Sequence, residues 1–203
     1  MNYTEVKAAI AGFLNRDDLT AVIPTFIAFC ESRMNRTIRT RRMEYRVVAT
    51  ISTQFSNLPD DFMEMRNIQI NGQPVTALQY LTPQQADEER AKVKNASGKS
   101  RYFSIVANRL ELIPPPNDAI ECELVYYRMI PALNDTTVTS NWVSELFPDI
   151  YVYGSLVAAA TYLKDDAGTW AQLFDSALAE LVVDDQRSQF QGTTPQMRGN
   201  RIG

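Results

Sequence analysis

The hydrophobic period of this chain changes twice, and that change sets the strongest limit on its fold. Near the start, apolar residues recur at steps of three and four, which is typical of amphipathic helices. The first stripe consists of Val6, Ala9, Ile10, Phe13 and Leu14. A second stripe, which predicts a helix to about Arg39, consists of Ile23, Phe26, Ile27, Cys30, Met34 and Ile38. The spacing of Asn2 and Glu5 predicts a capping box for the first helix.

In the middle of the chain the period falls to two, which predicts strands. The clearest strand alternates apolar and more polar residues over positions 120–127, as in a half-buried antiparallel sheet. Three further predicted strands begin at Met65, Tyr102 and Leu110, and one includes Tyr45 to Ile51. Between them, the run Thr82-Pro83-Gln84-Gln85 predicts the start of a short, largely solvated helix, because Thr82 can cap it and proline fits its first turn.

After residue 140 the period is helical again. One predicted stripe consists of Tyr153, Leu156, Val157, Ala160 and Leu163. The longest stripe in the chain consists of Trp170, Leu173, Phe174, Ala177, Leu178, Leu181 and Val182. The run Asp165–Gly168 separates the two helices.

These changes of period predict a mainly α protein with an α+β insertion. Helices this short and one-sided are marginal alone, so we expect the N-terminal pair to pack against the C-terminal pair as a bundle. The antiparallel β-rich middle would be inserted between the two pairs. The predicted parts are residues 1–44 for the N-terminal helices, 45–132 for the insertion, 141–190 for the C-terminal helices and 191–203 for a flexible arm.

Composition argues against an enzyme. The 203 residues include no histidine and two cysteines, which excludes histidine-dependent triads, histidine-ligated metals and four-cysteine sites within one chain. We therefore expect no catalytic residue, no metal and no cofactor. A carboxylate-dependent hydrolase that uses Asp60, Asp61 and Glu64 is kept as an alternative. Adjacent carboxylates point apart, however, and do not make the convergent pair that such chemistry needs. The two cysteines lie among apolar neighbours, which predicts buried free thiols.

Charge is unevenly distributed along the chain. The net charge is -4, but residues 1–46 carry eight basic and five acidic side chains, a local +3. Arginines crowd the end of the second predicted helix, at positions 33, 36, 39, 41, 42 and 46. The helix dipole favours some of them without any partner. The others, among which we single out Arg39, Arg41 and Arg42, can bind an acidic protein surface or nucleic acid.

The end of the chain is a candidate binding arm. Residues 191–203 contain no acidic side chain and little apolar content, so they are not expected to order themselves. Arg198, Arg201 and Ile202 are candidates for contacts with a partner. No run of about 18 apolar residues occurs, so no membrane partner is expected.

Seven blocks of this sequence resemble the head-to-tail adaptor, or connector, proteins of tailed bacteriophages. They follow the family's order and span nearly the whole chain. The blocks are Leu14–Leu19, Ile23–Ile27, Glu31–Arg36, Leu58–Phe62, Tyr126–Leu133, Phe147–Gly154 and Tyr162–Asp166. The strongest stretch reads Phe-Pro-Asp-Ile-Tyr-Val-Tyr-Gly, at residues 147–154.

The resemblance implies a structural virion protein at the head-tail interface, assembled in the host cytoplasm. Such adaptors form a homo-oligomeric ring, typically of twelve copies, beneath the portal protein. The ring connects the portal to a tail or nozzle protein, and DNA passes through its lumen during ejection without sequence-specific binding. In related adaptors a C-terminal arm docks on the portal, which would give residues 191–203 a role. A small nucleic-acid-binding or DNA-packaging accessory protein that uses Arg33 to Arg46 is the alternative.

Overall fold

The order of elements is two helices, a β-rich stretch that includes one helix, and three further helices. The computed structural model describes residues 1–16, 18–93 and 96–189. The helices are α1 (Tyr3–Leu14), α2 (Ile23–Thr37), α3 (Pro83–Val93), α4 (Trp142–Leu146), α5 (Pro148–Leu163) and α6 (Gly168–Gln189), with a 3-10 helix over Arg41–Met43. The strands are β1 (Glu44–Ile51), β2 (Phe55–Asn57), β3 (Phe62–Ile70), β4 (Thr76–Ala77), β5 (Gln79–Tyr80), β6 (Tyr102–Val106), β7 (Arg109–Ile113) and β8 (Ile120–Arg128).

The chain divides into two compact units. A helical unit contains Met1–Arg42 together with the described residues from Ile130 onward. A β-rich unit contains Met43–Met129. The predicted arm, with Arg198, Arg201 and Ile202, lies outside the described residues.

The predicted fold class is wrong. Within the described residues the protein is mixed α/β, with six α-helices and two sheets of four strands, not a helical bundle with a single antiparallel insertion. One sheet has the order β1-β8-β3-β4 and is antiparallel throughout. The other has the order β2-β7-β6-β5, and its β5 and β6 are parallel.

The parallel pair explains part of this error. Parallel neighbours need a crossover connection, usually a helix, and α3 lies between β5 and β6 in the chain. The helix predicted from Thr82 onward is largely solvated, as expected, since Ala86 is its one buried residue, and it also forms the crossover between β5 and β6. In addition, β2, β4 and β5 have only two or three residues each, so they are too short to show a period of two.

Several local predictions are confirmed. The Asn2 side chain accepts a hydrogen bond from the Glu5 N–H at 2.8 Å, and Glu5 accepts one from the Asn2 N–H at 2.9 Å, which completes the capping box. At α3, Thr82 Oγ1 accepts from the Gln85 N–H at 3.4 Å, and Gln85 accepts from the Thr82 N–H at 3.0 Å. All six apolar residues predicted for the second helix stripe are buried.

The helical unit is built around α5, which packs against α1, α2, α4 and α6. A helix with neighbours on most sides is buried nearly all round, so its apolar residues do not form a single stripe. This is why the stripe predicted through Tyr153 and Leu163 is partly wrong, since both residues are only half-buried. The residues of α5 that are buried are Ile150, Tyr151, Val152, Gly154, Ser155, Leu156, Ala159 and Ala160.

The two sheets of the β-rich unit share one core. Its buried members from the first sheet include Ile68, Leu124 and Tyr126, and those from the second include Leu110 and Leu112. β8 lies between β1 and β3, and its alternation matches the predicted half-buried strand. The two cysteines are free and buried, as predicted. Burial raises the pKa of the Cys30 thiol to about 12 and that of the Cys122 thiol to about 11, so both are protonated at neutral pH.

Candidate assembly surfaces

The arginine cluster begins at the C-terminus of α2, where one of its members binds backbone carbonyls at the end of the helix. Arg39 Nη1 donates hydrogen bonds to the backbone oxygens of Asn35 at 2.8 Å and of Ile38 at 2.6 Å. Carbonyls in the last turn of a helix have no intrahelical partner, and a cation there is also favoured by the dipole. This residue therefore caps α2, as the dipole argument predicts for part of the cluster.

Three other arginines of the cluster bind carboxylates of α6. Arg33 Nη2 lies 3.3 Å from Asp175 Oδ1, Arg42 Nη2 lies 3.5 Å from Asp184 Oδ2, and Arg41 Nε lies 3.8 Å from Asp185 Oδ1. The Arg41 backbone N–H also donates to Asp185 at 3.2 Å, and its guanidinium contacts Ser188 Oγ. These pairs hold α2 and the 3-10 helix that follows it against α6. Their partners lie more than 140 positions away in sequence, so no local pattern could have identified them.

This pairing changes the electrostatic interpretation of the cluster. Nonspecific duplex binding depends on free positive charge that can neutralise phosphates. Three of the cationic groups here face a carboxylate, and Arg46 lies 3.3 Å from Glu123 in the β-rich unit. Arg36 is exposed and makes no ion pair with the described residues. The geometry therefore weakens the nucleic-acid alternative.

A buried carboxylate that the sequence analysis missed organises the centre of the helical unit. Glu31 of α2 is 7% exposed and accepts hydrogen bonds from the Leu133 N–H at 2.7 Å and from the Tyr151 hydroxyl at 3.1 Å. Asn141 donates to the Tyr151 oxygen at 2.7 Å and to the Pro131 carbonyl at 2.8 Å. The network joins α2 and α5 to the segment that leads into α4. α2 also carries exposed charged residues, so a charged residue in this helix is not by itself a sign of burial. Only the position of Glu31 on the apolar face of the helix could have indicated that it is buried.

Burial raises the pKa of Glu31 above its ordinary value of 4.5, and the two hydrogen bonds only partly oppose this. A carboxyl whose pKa is raised on folding makes the folded state less stable as pH rises from the unfolded to the folded pKa. We expect the Glu31→Gln variant, which cannot ionise, to lack this loss. The melting temperature of the variant minus that of the wild type should therefore increase as pH is raised from 4 toward 7. A difference that is flat across this range would contradict the interpretation.

Asp61, one of the three carboxylates of the hydrolase alternative, has structural partners. Asp61 Oδ1 accepts a hydrogen bond from the Tyr126 hydroxyl at 3.0 Å, and Asp61 Oδ2 lies 3.9 Å from Arg128 Nε. Burial and this carboxylate raise the pKa of Tyr126 to about 12. Within the described residues, no group of three or more Asp, Glu or Cys side chains is arranged to hold a metal ion. Asp61 therefore anchors the end of β8.

The outer face of the first sheet is a ladder of paired charges. Arg46 of β1 lies 3.3 Å from Glu123 of β8, and Arg66 of β3 donates to Glu44 of β1 at 3.2 Å. The Arg66 guanidinium also lies over the Tyr127 ring, 5.3 Å from its centroid. Cross-strand pairs of this kind stabilise a sheet by a few tenths to about 1 kcal/mol each. The ladder holds the three strands in register on the solvent side.

Apolar side chains are nevertheless exposed on both units. In the helical unit Phe29 is 60% and Phe13 is 57% exposed, and in the β-rich unit Tyr80 is 55% and Val48 is 52% exposed. Among the described helices, none is both long and apolar enough to cross a bilayer. Exposed aromatic and branched residues are common at sites of protein association. The protein thus buries an apolar core together with a few polar networks and leaves several large apolar side chains exposed, where they are available for contacts with other proteins.

Comparison with known families agrees with this pattern. Residues 1–199 match the model of the family described as SU10 adaptor protein. No match was found among curated proteins. The match covers nearly the whole chain and so includes both units and all the surfaces described above. The chain therefore belongs to the SU10 adaptor protein family, a family of structural phage proteins that join head and tail.

Proposed function

We propose that this protein assembles as a homo-oligomeric ring, of twelve copies as in the adaptors that it resembles, between the portal protein and a tail or nozzle protein. The observation that carries the proposal is the family match over residues 1–199. The ring would be added beneath the portal during assembly in the host cytoplasm and would remain in the virion.

The ring would enclose a lumen through which DNA passes during ejection. A chain with a net charge of -4 repels phosphates rather than binding them, so DNA could slide through without being held. The intramolecular pairing of Arg33, Arg41 and Arg42 supports this role, because carboxylates of α6 offset their positive charge. Within the part of the chain that the structure describes, no observation favours the nucleic-acid accessory over the adaptor.

The proposed contacts with the portal lie at the end of the chain. Arg198, Arg201 and Ile202 would form them, with two cations for acidic groups and one apolar anchor. We keep Arg39, Arg41 and Arg42 as secondary partner-binding residues. The side chains of Arg41 and Arg42 are 45% and 42% exposed while they pair with α6, so they can contact an acidic partner at the same time.

Native mass spectrometry of the purified protein with the portal protein of the same phage tests the proposal. We expect a defined complex that contains several copies of this chain for each portal ring, and its mass gives the copy number. A chain that remains monomeric and ignores the portal would contradict the adaptor role.

Deletion of residues 191–203 should separate binding from folding. The segment carries too little apolar content to add to a core, so we expect the melting temperature to change by no more than about 2 °C, as for surface changes. Binding to the portal, measured by native mass spectrometry, should weaken at least about tenfold. The triple variant Arg198→Ala, Arg201→Ala, Ile202→Ala keeps the length of the arm but removes the proposed contacts, so it should also weaken binding to the portal and leave the melting temperature unchanged. A large drop in melting temperature would instead assign the segment to the fold.

A further inference from the structure

The first sheet ends in an unusually open edge strand. β1 has eight residues, it pairs with β8 in continuous register from Glu44 to Ile51, and no described strand pairs with its other side. Edge strands are normally protected by short length, proline, lysine or a bulge. β1 has none of these, and its two charged residues, Glu44 and Arg46, pair with Arg66 and Glu123 of the same sheet. The other described edge strands, β2, β4 and β5, have two or three residues each. The Val48 side chain of β1 is 52% exposed.

The direction of the free backbone groups follows from one hydrogen bond. The Asn71 N–H donates to the Glu121 oxygen at 2.8 Å, so the backbone of Glu121 points toward β3. Backbone groups alternate in direction along a strand, so Cys122 points toward β1 and bonds its partner Ala49. The next residues of β1, Val48 and Thr50, therefore direct their N–H and C=O groups to the open side. β1 is ready to pair with a further strand.

The opposite edge of the same sheet is open as well. β4 covers only Gln69 and Ile70 of β3, so Phe62–Asn67 have no neighbouring strand on that side among the described residues. A groove of about 620 Å³ runs along this part of β3. Its apolar lining residues include Ile68, Leu78, Tyr80, Phe103 and Ile105. At about 3.3 Å per residue, six open residues span about 20 Å, which most of β1 would fill.

We propose that β1 of one copy docks along β3 of the next copy, so that the first sheet continues from subunit to subunit. One chain carries both the strand and the groove, and they lie at opposite edges of one sheet. A contact between two different surfaces of identical copies is head-to-tail, and it forms a ring when the rotation between copies closes. The choice of a second copy as the occupant rests on the ring proposed above. β3 has register shifts between Phe62 and Glu64 and between Met65 and Asn67, so the added strand would pair with the regular stretches next to these bulges rather than with every residue of the edge.

Disulfide trapping on the assembled protein tests the proposed contact. Val48→Cys is combined in turn with Glu64→Cys, Arg66→Cys or Asn67→Cys, because the register between copies is the one free parameter. Within one chain β8 separates β1 from β3, which places these pairs beyond the roughly 7 Å between Cα atoms that a disulfide allows. Oxidation should therefore give a ladder of covalent multimers for at least one pair. Val48→Cys alone should give no covalent multimers. The native cysteines are buried and should not compete for disulfide formation.

A second variant tests whether pairing at the edge of β1 contributes to the affinity between copies. Val48→Pro removes an N–H that faces the open side and leaves the bonds between β1 and β8 in place, a position where proline is tolerated. We expect the association constant between copies to fall at least about tenfold, because an acceptor at the interface loses its donor. Val48→Ala keeps the N–H and is the matched control. Thermal unfolding of both variants at monomeric concentrations shows whether the fold is retained.

The outcomes separate this inference from the proposed function. If the wild type forms a multi-copy complex with the portal but no cysteine pair is trapped and Val48→Pro assembles normally, the strand contact is wrong and the adaptor role stands. If Val48→Cys alone forms dimers, β1 pairs with itself and the head-to-tail contact is wrong. If the wild type forms no multi-copy complex with or without the portal, the proposed function fails together with the contact.

Discussion

Gly154→Ala is expected to destabilise the helical unit by about 1–3 kcal/mol, a typical cost of overpacking a filled core. A Cβ added at this position of α5 would overlap with Cys30 Sγ and would lie 2.7 Å from Phe174 Cε2. Both contacts are shorter than atoms of folded proteins allow, and both neighbours are buried. One of the two helices that pack on α5 here would have to move, and the network at Glu31 would be strained with it.

The same substitution at Gly12 of α1 is the control. Among the described residues nothing lies within 4 Å of the Cβ that would be added there. Replacing glycine by alanine inside a helix stabilises it by up to about 1 kcal/mol, because alanine loses less backbone entropy on folding. Denaturant unfolding should therefore give changes of opposite sign for one chemical change in two helices. A Gly154→Ala protein as stable as the wild type would show that α2, α5 and α6 are packed less closely than described.

Phe174→Ala is expected to have the largest effect on stability, a loss of about 3–5 kcal/mol. Phe174 of α6 is completely buried, lies against Gly154, and has the Arg33 guanidinium 4.7 Å from its ring centroid. Truncation would leave a cavity between α5 and α6 and would remove the cation-π contact as well. Leu173→Ala, one position away on the same helix, is the matched control, since its side chain is 38% exposed and should cost much less.

The two large changes are expected to be coupled. Phe174→Ala frees the space that the Cβ of Gly154→Ala would occupy, although the contact with Cys30 would remain. The double variant should therefore lose less stability than the sum of the single variants, and a double-mutant cycle measures the difference. Strict additivity would contradict the close contact between α5 and α6.

Local features of this fold could be predicted from the sequence. The capping box at Asn2, the start of α3 at Thr82, the buried stripe of α2 and the alternation of β8 all depend on residues a few positions apart. Side-chain oxygens near free backbone donors and apolar residues on one face determine such features. The same locality explains the correct prediction of two buried free cysteines.

Features that depend on distant residues could not be predicted in this way. The five-residue α4 and the two-residue β4 and β5 are too short for any period, and their pairing is decided by tertiary contacts. The sequence predicts the two longer strands of the second sheet, β6 and β7, but not its short edge strands β2 and β5, so neither a separate second sheet nor the mixed α/β class is predicted. Similarly, Arg41 and Arg42 form an exposed basic run in the sequence, but Asp184 and Asp185 approach them only after folding. The sequence alone therefore does not show that these two arginines pair with α6.

The functional features of the protein are likewise only partly predictable from the sequence. The family resemblance identified the head-tail adaptor family from blocks such as Phe147–Gly154, and the family match over residues 1–199 confirms it. The buried Glu31 network and the open edges of β1 and β3 needed three-dimensional structure. Neither feature has a sequence motif, since one depends on a single acidic residue on an apolar face and the other on which strands lack neighbours.

Phage particles made without this protein test most directly whether it joins the head to the tail. Electron microscopy of lysates from a phage with a nonsense mutation in this chain should show heads that package DNA, fail to retain it and carry no tails. Supplying the wild-type protein from a plasmid should restore tailed particles, and the chain without residues 191–203 should restore them poorly. Normal tailed, infectious particles in the absence of the protein would contradict the account.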